Sequence, residues 1–136
     1  MDTHLMQLGI LLFLLGLLTG LAGPKLRNPR MGLSSHLEGV MNGMFLIILG
    51  LLWPRLGLSH AWLGITFWLV VYAAFANWVA TLLAAAWGAG TLMPIAAGSH
   101  QATPRRERVI GFLLVSLALC VIAACALILI GLFLGG

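Results

Sequence analysis

His36, Glu38 and Asn42 fall close together in Ser34-Ser35-His36-Leu37-Glu38-Gly39-Val40-Met41-Asn42-Gly43-Met44, a run otherwise apolar enough to cross a membrane. Polar side chains are costly in hydrocarbon, and where they persist they mark sites for ions, protons or ligands. An imidazole there can ligate a metal, relay a proton, or hydrogen-bond a neighbouring helix. A carboxylate can anchor to a basic residue such as Arg30 or do acid-base work. A carboxamide cannot be neutralised by protonation and needs partners for both its carbonyl and its NH₂. A second mid-span carboxamide, Asn77, sits one turn before Thr81, with the small residues Ala73, Ala74, Ala80 and Ala84 leaving space nearby. It reads either as glue between helices or as part of a site. Tyr72, the only tyrosine, and the deep Trp78 are candidates to line an aromatic pocket, with packing as the other reading.

The elements that carry these residues follow from composition. Hydrophobic residues make up 62% of the 136 and charged ones 7%, with a mean hydropathy of +1.11, which excludes a soluble globular domain. Four apolar runs, about residues 5–23, 34–53, 61–87 and 109–134, are each long enough as helices to cross a hydrocarbon core of about 30 Å. They are continuous rather than alternating, so helices and not barrel strands are expected. The fold class is thus an all-α integral membrane protein, a four-transmembrane-helix bundle forming one domain over residues 1–136. The first run starts behind Asp2 with no Lys or Arg, unlike a secretory signal, so a retained helix is expected. Segments 24–33, 54–60 and 88–108 read as loops, punctuated by Pro24, Pro29, Pro54, Pro94 and Pro104.

Trp53, Trp62 and Trp87 stand at run ends, where indoles favour the headgroup layer. Lys25, Arg27 and Arg30 lie in the first loop and Arg105, Arg106 and Arg108 in the third, against Arg55 alone in the second. The positive-inside rule therefore predicts cytoplasmic loops 1 and 3, with the chain in a bacterial inner membrane. The net charge of +4 is a topology and lipid-headgroup signal rather than a nucleic-acid one, so membrane lipid is an expected partner and nucleic acid is not. Cys120 and Cys125 point about 140° apart on one helix, which precludes pairing within it, and they read as packing residues.

Around the second helix, Gly39, Gly43 and Gly50 lie within about 60° of His36, forming a bald strip beneath the imidazole. Gly39-x-x-x-Gly43 is the pattern that lets membrane helices touch. It would equally let a flat prosthetic group lie against the helix with His36 as its axial ligand. Glu38 and Asn42 share another face, about 160° and 120° from His36, which argues against a chelate on one helix. His4, His60 and His100 read as solvated, and none pairs with His36 at a bis-histidine spacing.

The run from Asn28-Pro29-Arg30 through Gly32-Leu33-Ser34, His36-Leu37-Glu38-Gly39 and Met41-Asn42-Gly43-Met44-Phe45 resembles the hydroxylaminobenzene mutases over most of the chain. His36 followed by Asn42-Gly43 is similar also to the styrene oxide isomerases. The resemblance implies a homo-oligomer, a trimer, holding ferric haem b between subunits and rearranging a small aromatic substrate with the iron as Lewis acid. It implies His36 as the iron ligand, Gly39 and Gly43 as the surface for the macrocycle, and Asn42 as the residue facing substrate. In the isomerases a tyrosine of the third helix assists; Thr81 stands at that place here, leaving Asn77 or Tyr72 as the catalytic partner of Asn42. Hydroxylaminobenzene to 2-aminophenol is the expected reaction, with epoxide isomerisation as the alternative. A small multidrug-type exporter is the alternative of another class, against which stands the absence of any carboxylate within the first apolar run.

Overall fold

Apolar runs punctuated by proline build a helical structure without strands. The computed structural model describes residues 1–136: α1 (Asp2–Ala22), α2 (Pro29–Leu52), α3 (His60–Trp87), the single-turn α4 (Pro94–Ala97) and α5 (Pro104–Gly135). Tight 3-10 turns follow α1 at Gly23–Lys25 and α2 at Trp53–Arg55. Helices α1, α2, α3 and α5 are long and apolar enough to cross a membrane, as the composition requires.

Two helices begin earlier than hydropathy predicts, and local chemistry explains both. Asn28 caps α2, its Oδ1 accepting from Met31 N at 3.1 Å, and Pro29 follows at a position where no N–H is needed. In the same way Pro104 opens α5, so Arg105, Arg106 and Arg108 are helical rather than part of a loop. Hydropathy locates grease; a cap and a proline locate a helix start.

The helices pack in chain order, α1 on α2, α2 on α3, and α3 on α5. α3 is the most buried and α5 is almost wholly exposed on its outer side. The main core joins Leu5 and Leu12 of α1, Leu46 and Leu49 of α2, and Phe67 and Val70 of α3. Trp53 belongs to it: the indole at the end of α2 is buried and meets Phe67 edge-on at 6.3 Å. Of the cysteines, both free, Cys120 packs beside Leu117 while Cys125 faces outward rather than into the bundle.

Between α1 and α2 the glycines meet glycines. A Cβ on Gly39 would stand 2.6 Å from Gly16 Cα and 2.9 Å from Trp78 Cδ1; one on Gly43 would stand 2.7 Å from Gly9 O; one on Gly50 would stand 2.7 Å from Met6 Cγ. The strip is therefore the seam against α1, and backbone-to-backbone approach is its purpose.

At the end of the bundle where loops 1 and 3 lie, polar groups knit the chain. Glu107 accepts from the backbone N–H groups of Gly90 at 3.0 Å, Thr91 at 3.0 Å and Ala102 at 3.2 Å. Arg27 donates to Trp87 O at 2.9 Å, and the Arg106 guanidinium lies 5.3 Å over the Trp87 ring. Buried Asn28 donates through Nδ2 to Ala96 O and Ala97 O, tying the start of α2 to α4.

The seam makes a contrast that is easy to measure. Gly39→Ala should cost about 1–3 kcal/mol through overpacking against Gly16. Gly111→Ala, whose nearest neighbour would be Leu92 at 3.6 Å, should be neutral or stabilising by up to about 1 kcal/mol. Unfolding of the two variants in detergent should separate them.

Candidate functional site

The start of α2 presents polar groups on two sides. On the side of α1, Gly20 lies beneath the imidazole of His36, since a Cβ there would stand 2.7 Å from Nδ1 and 3.1 Å from Cγ. His36 Nδ1 is 2.8 Å from Gly16 O. A carbonyl oxygen only accepts, so the neutral ring donates from Nδ1 and keeps the lone pair of Nε2 for a ligand. The imidazole lines a cleft of about 710 Å³ formed by Leu17, Gly20, Leu21, Gly23, Pro24, Pro29, Gly32 and Leu33. Its walls are glycine backbone, proline rings and leucines, a surface fit for something flat and apolar.

On the side of α3 the sequence placed Glu38 and Asn42 together, and the structure adds Asn77. Asn42 Nδ2 donates to the Glu38 backbone oxygen at 2.8 Å and to Glu38 Oε2 at 3.2 Å; Asn77 Nδ2 donates to the same Oε2 at 2.6 Å. Neither carboxamide oxygen bonds a protein group. Glu38 forms no ion pair, with Arg30 or any other base; the only ion pair in the chain joins the N-terminus to Asp2. Beside this group lies a groove of about 430 Å³ lined by Ser34, Glu38, Asn77, Thr81 and the segment Leu92 to Ala96.

Trp78 braces the two sides. Its Nε1 donates to Thr19 Oγ1 of α1 at 3.0 Å, and its backbone oxygen accepts from buried Ser35 at 3.3 Å. Thr81 turns its hydroxyl back on its own helix, to Asn77 O at 2.9 Å and Trp78 O at 3.0 Å.

Three expectations change. Gly39 and Gly43 lie against α1, which occupies their face; the cleft beside His36 is lined instead by Gly20, Gly23 and Gly32, themselves packed on His36 and on one another. Tyr72 does not reach Asn42: its hydroxyl bonds Ser116 of α5 at 2.6 Å, leaving Asn77 as the partner that shares Glu38 with Asn42. Trp78 is a brace between helices rather than a pocket wall. The glycines of α1 carried no signal on their own, although a helix with glycines at 9, 16 and 20 matches the strip on α2 once the two are set side by side. No three His, Cys, Asp or Glu side chains cluster, so a metal held at His36 would draw most of its coordination from something other than protein side chains.

A bundle of four membrane-crossing helices, with a free imidazole nitrogen on one side and a carboxylate gripped by carboxamides on the other, defines an all-α membrane protein equipped to hold small molecules among apolar walls. The chain belongs to the styrene oxide isomerase family, whose profile matches residues 1–133. It is 55% identical over 132 residues to the hydroxylaminobenzene mutase HabA of Ectopseudomonas oleovorans, covering 96% of this chain and 98% of that protein. It is 58% identical over 130 residues to the hydroxylaminobenzene mutase HabB of the same organism, covering 95% of this chain and 79% of that one. No solved structure matches. The resemblance carried by residues 28–45 is met by these relatives, and with it the isomerase class.

The hydrogen bonds rank the polar residues by consequence. Asn77→Ala removes one of the two carboxamide donors on a carboxylate set among helices and should destabilise by about 1–3 kcal/mol, whereas Tyr72→Phe loses a partly exposed hydroxyl pair and should cost about 0.5–1.5 kcal/mol. Denaturation midpoints in one detergent would test the order.

Proposed function

We propose that this chain rearranges hydroxylaminobenzene to 2-aminophenol, an intramolecular hydroxyl transfer, using ferric haem b held at His36. Near-full-length identity to two hydroxylaminobenzene mutases supports the reaction. The observation that supports the cofactor is the lock on His36: Nδ1 is bonded to Gly16 O, so Nε2 is the ligand atom, and the cleft beside it has an apolar lining that includes Leu17, Leu21, Pro24 and Leu33. When bound, the haem supplies a Lewis acid for an oxygen that is leaving nitrogen.

The chain's residues supply the rest. Asn42 has spent both its N–H groups on Glu38, so it meets substrate as an acceptor through Oδ1. In the substrate the N–O bond breaks, a C–O bond forms at the ortho carbon, the proton leaves that carbon and nitrogen gains one; atoms and oxidation level are conserved overall. Apolar walls keep water from intercepting the cationic ring.

His36 faces α1 while Asn42 and Asn77 face the Glu38 side, so one protomer does not bring them to one substrate. A homotrimer with haem between subunits, His36 from one and Asn42 from the next, satisfies both positions. The end carrying Arg27 and Arg106 faces the cytoplasm of an inner-membrane protein in this reading. The family profile favours a second reading, isomerisation of an aryl epoxide such as styrene oxide.

Incubation of purified protein with hydroxylaminobenzene and with styrene oxide, with the products separated by chromatography, tests the reaction; formation of 2-aminophenol is expected, and no consumption of hydroxylaminobenzene would overturn it. His36→Ala should abolish both the Soret band and turnover. Asn42→Ala should keep the haem and lower turnover roughly ten- to a hundredfold, the kinetic equivalent of one lost hydrogen bond to substrate.

A further inference from the structure

Glu38 has one carboxylate oxygen more than its helices use. Oε2 receives N–H donors from Asn42 on its own helix and from Asn77 on α3, while Oε1 bonds no protein group. The side chain lines the groove between α2, α3 and the α4 segment. Of the other polar groups there, Thr81 has already given its proton to the backbone and Asn77 has given an N–H to Glu38, which leaves the neutral Asn77 Oδ1 and the Ser34 hydroxyl beside the carboxylate. Two donors converging on one oxygen fix the carboxyl group's orientation, and the oxygen they leave is held in one place as an acceptor.

We propose that Glu38 is a specificity-determining residue whose free oxygen selects substrates bearing N–H or O–H donors over those bearing only lone pairs. The proposal rests on the reaction assigned above. An arylhydroxylamine carries both N–H and O–H, and its aminophenol product carries an amine and a hydroxyl. An aryl epoxide offers only an ether oxygen, which a carboxylate oxygen repels.

The geometry makes an isosteric switch available. In Glu38→Gln the carbonyl oxygen belongs where Asn42 and Asn77 both donate, since an NH₂ there would face two donors. The Gln NH₂ is then turned into the position of Oε1, replacing an acceptor with a donor at the same shape.

Binding of 2-aminophenol and of 1,2-dimethoxybenzene to the purified full-length protein, measured by calorimetry, reads this directly. The two share a substituted ring, but only the first donates. Wild type should bind 2-aminophenol about tenfold or more tightly than the dimethoxy compound, and Glu38→Gln should erase or invert that ratio with haem content unchanged. Equal binding of the two by wild type, or an unchanged ratio in the variant, would overturn the proposal. Should Glu38→Gln fail to fold, Glu38→Asp, which draws the carboxylate back by one methylene, is read in the same assay, and an unchanged ratio there overturns the proposal in the same way. Conversion of hydroxylaminobenzene by wild type is scored separately: its absence with the ligand preference intact sinks the reaction and leaves the subsite, and the converse sinks the subsite alone.

Discussion

Where Gly16 of α1 meets Gly39 of α2, two backbones touch with no side chain between them, and the site is arranged by that contact. It brings the Gly16 carbonyl within 2.8 Å of His36 Nδ1, so that this nitrogen carries the ring proton of the neutral imidazole and the Nε2 lone pair is left unspent. It also lets Trp78 reach past α2 to Thr19, so that α1, α2 and α3 are held as one unit. Any side chain at either glycine would push α1 away and release the histidine. The seam is thus a packing device with a chemical consequence.

The same packing decides what each face of α2 is left to do. The α1 side is filled from Gly39 to Gly50, so an open surface remains only at the His36 end, beside Gly20, Gly23 and Gly32. The α3 side carries Glu38 between two carboxamides, with α4 folded over the adjoining groove. α4 is held there by buried Asn28, which both caps α2 and grips the α4 backbone, and the loop before α5 is held by Glu107. Polar groups at the basic end of the bundle therefore position the groove as firmly as apolar packing positions the helices.

Much of this was legible in the chain. Continuous apolar runs define four spans, because helices alone satisfy their backbone within a segment. The 100° step of a helix separates His36 from Asn42 and joins Asn42 to Glu38, as the structure bears out. What covers the glycine strip was not legible, since a flat ligand and a second helix both need bare backbone; the matching glycines on α1 resolve it only once the two helices are aligned. The partner of Glu38 was hidden because it lies 39 residues away on α3, and charge alone pointed to Arg30. The contact of Trp53 with Phe67 was not legible, because a tryptophan at a span's end looks the same in sequence whether it faces lipid or a neighbouring helix. The early starts of α2 and α5 were masked by the arginines that follow Pro29 and Pro104.

In the reading proposed above, His36 and Asn42, turned to different sides of one helix, meet one substrate across a boundary between protomers. Co-expression of a His36→Ala chain with an Asn42→Ala chain, purified through tags on both, tests it most directly. The mixed oligomer should convert hydroxylaminobenzene although each variant alone does so poorly or not at all, because some boundaries pair the intact His36 of one chain with the intact Asn42 of the other. Mixed oligomers no more active than the parents would contradict it.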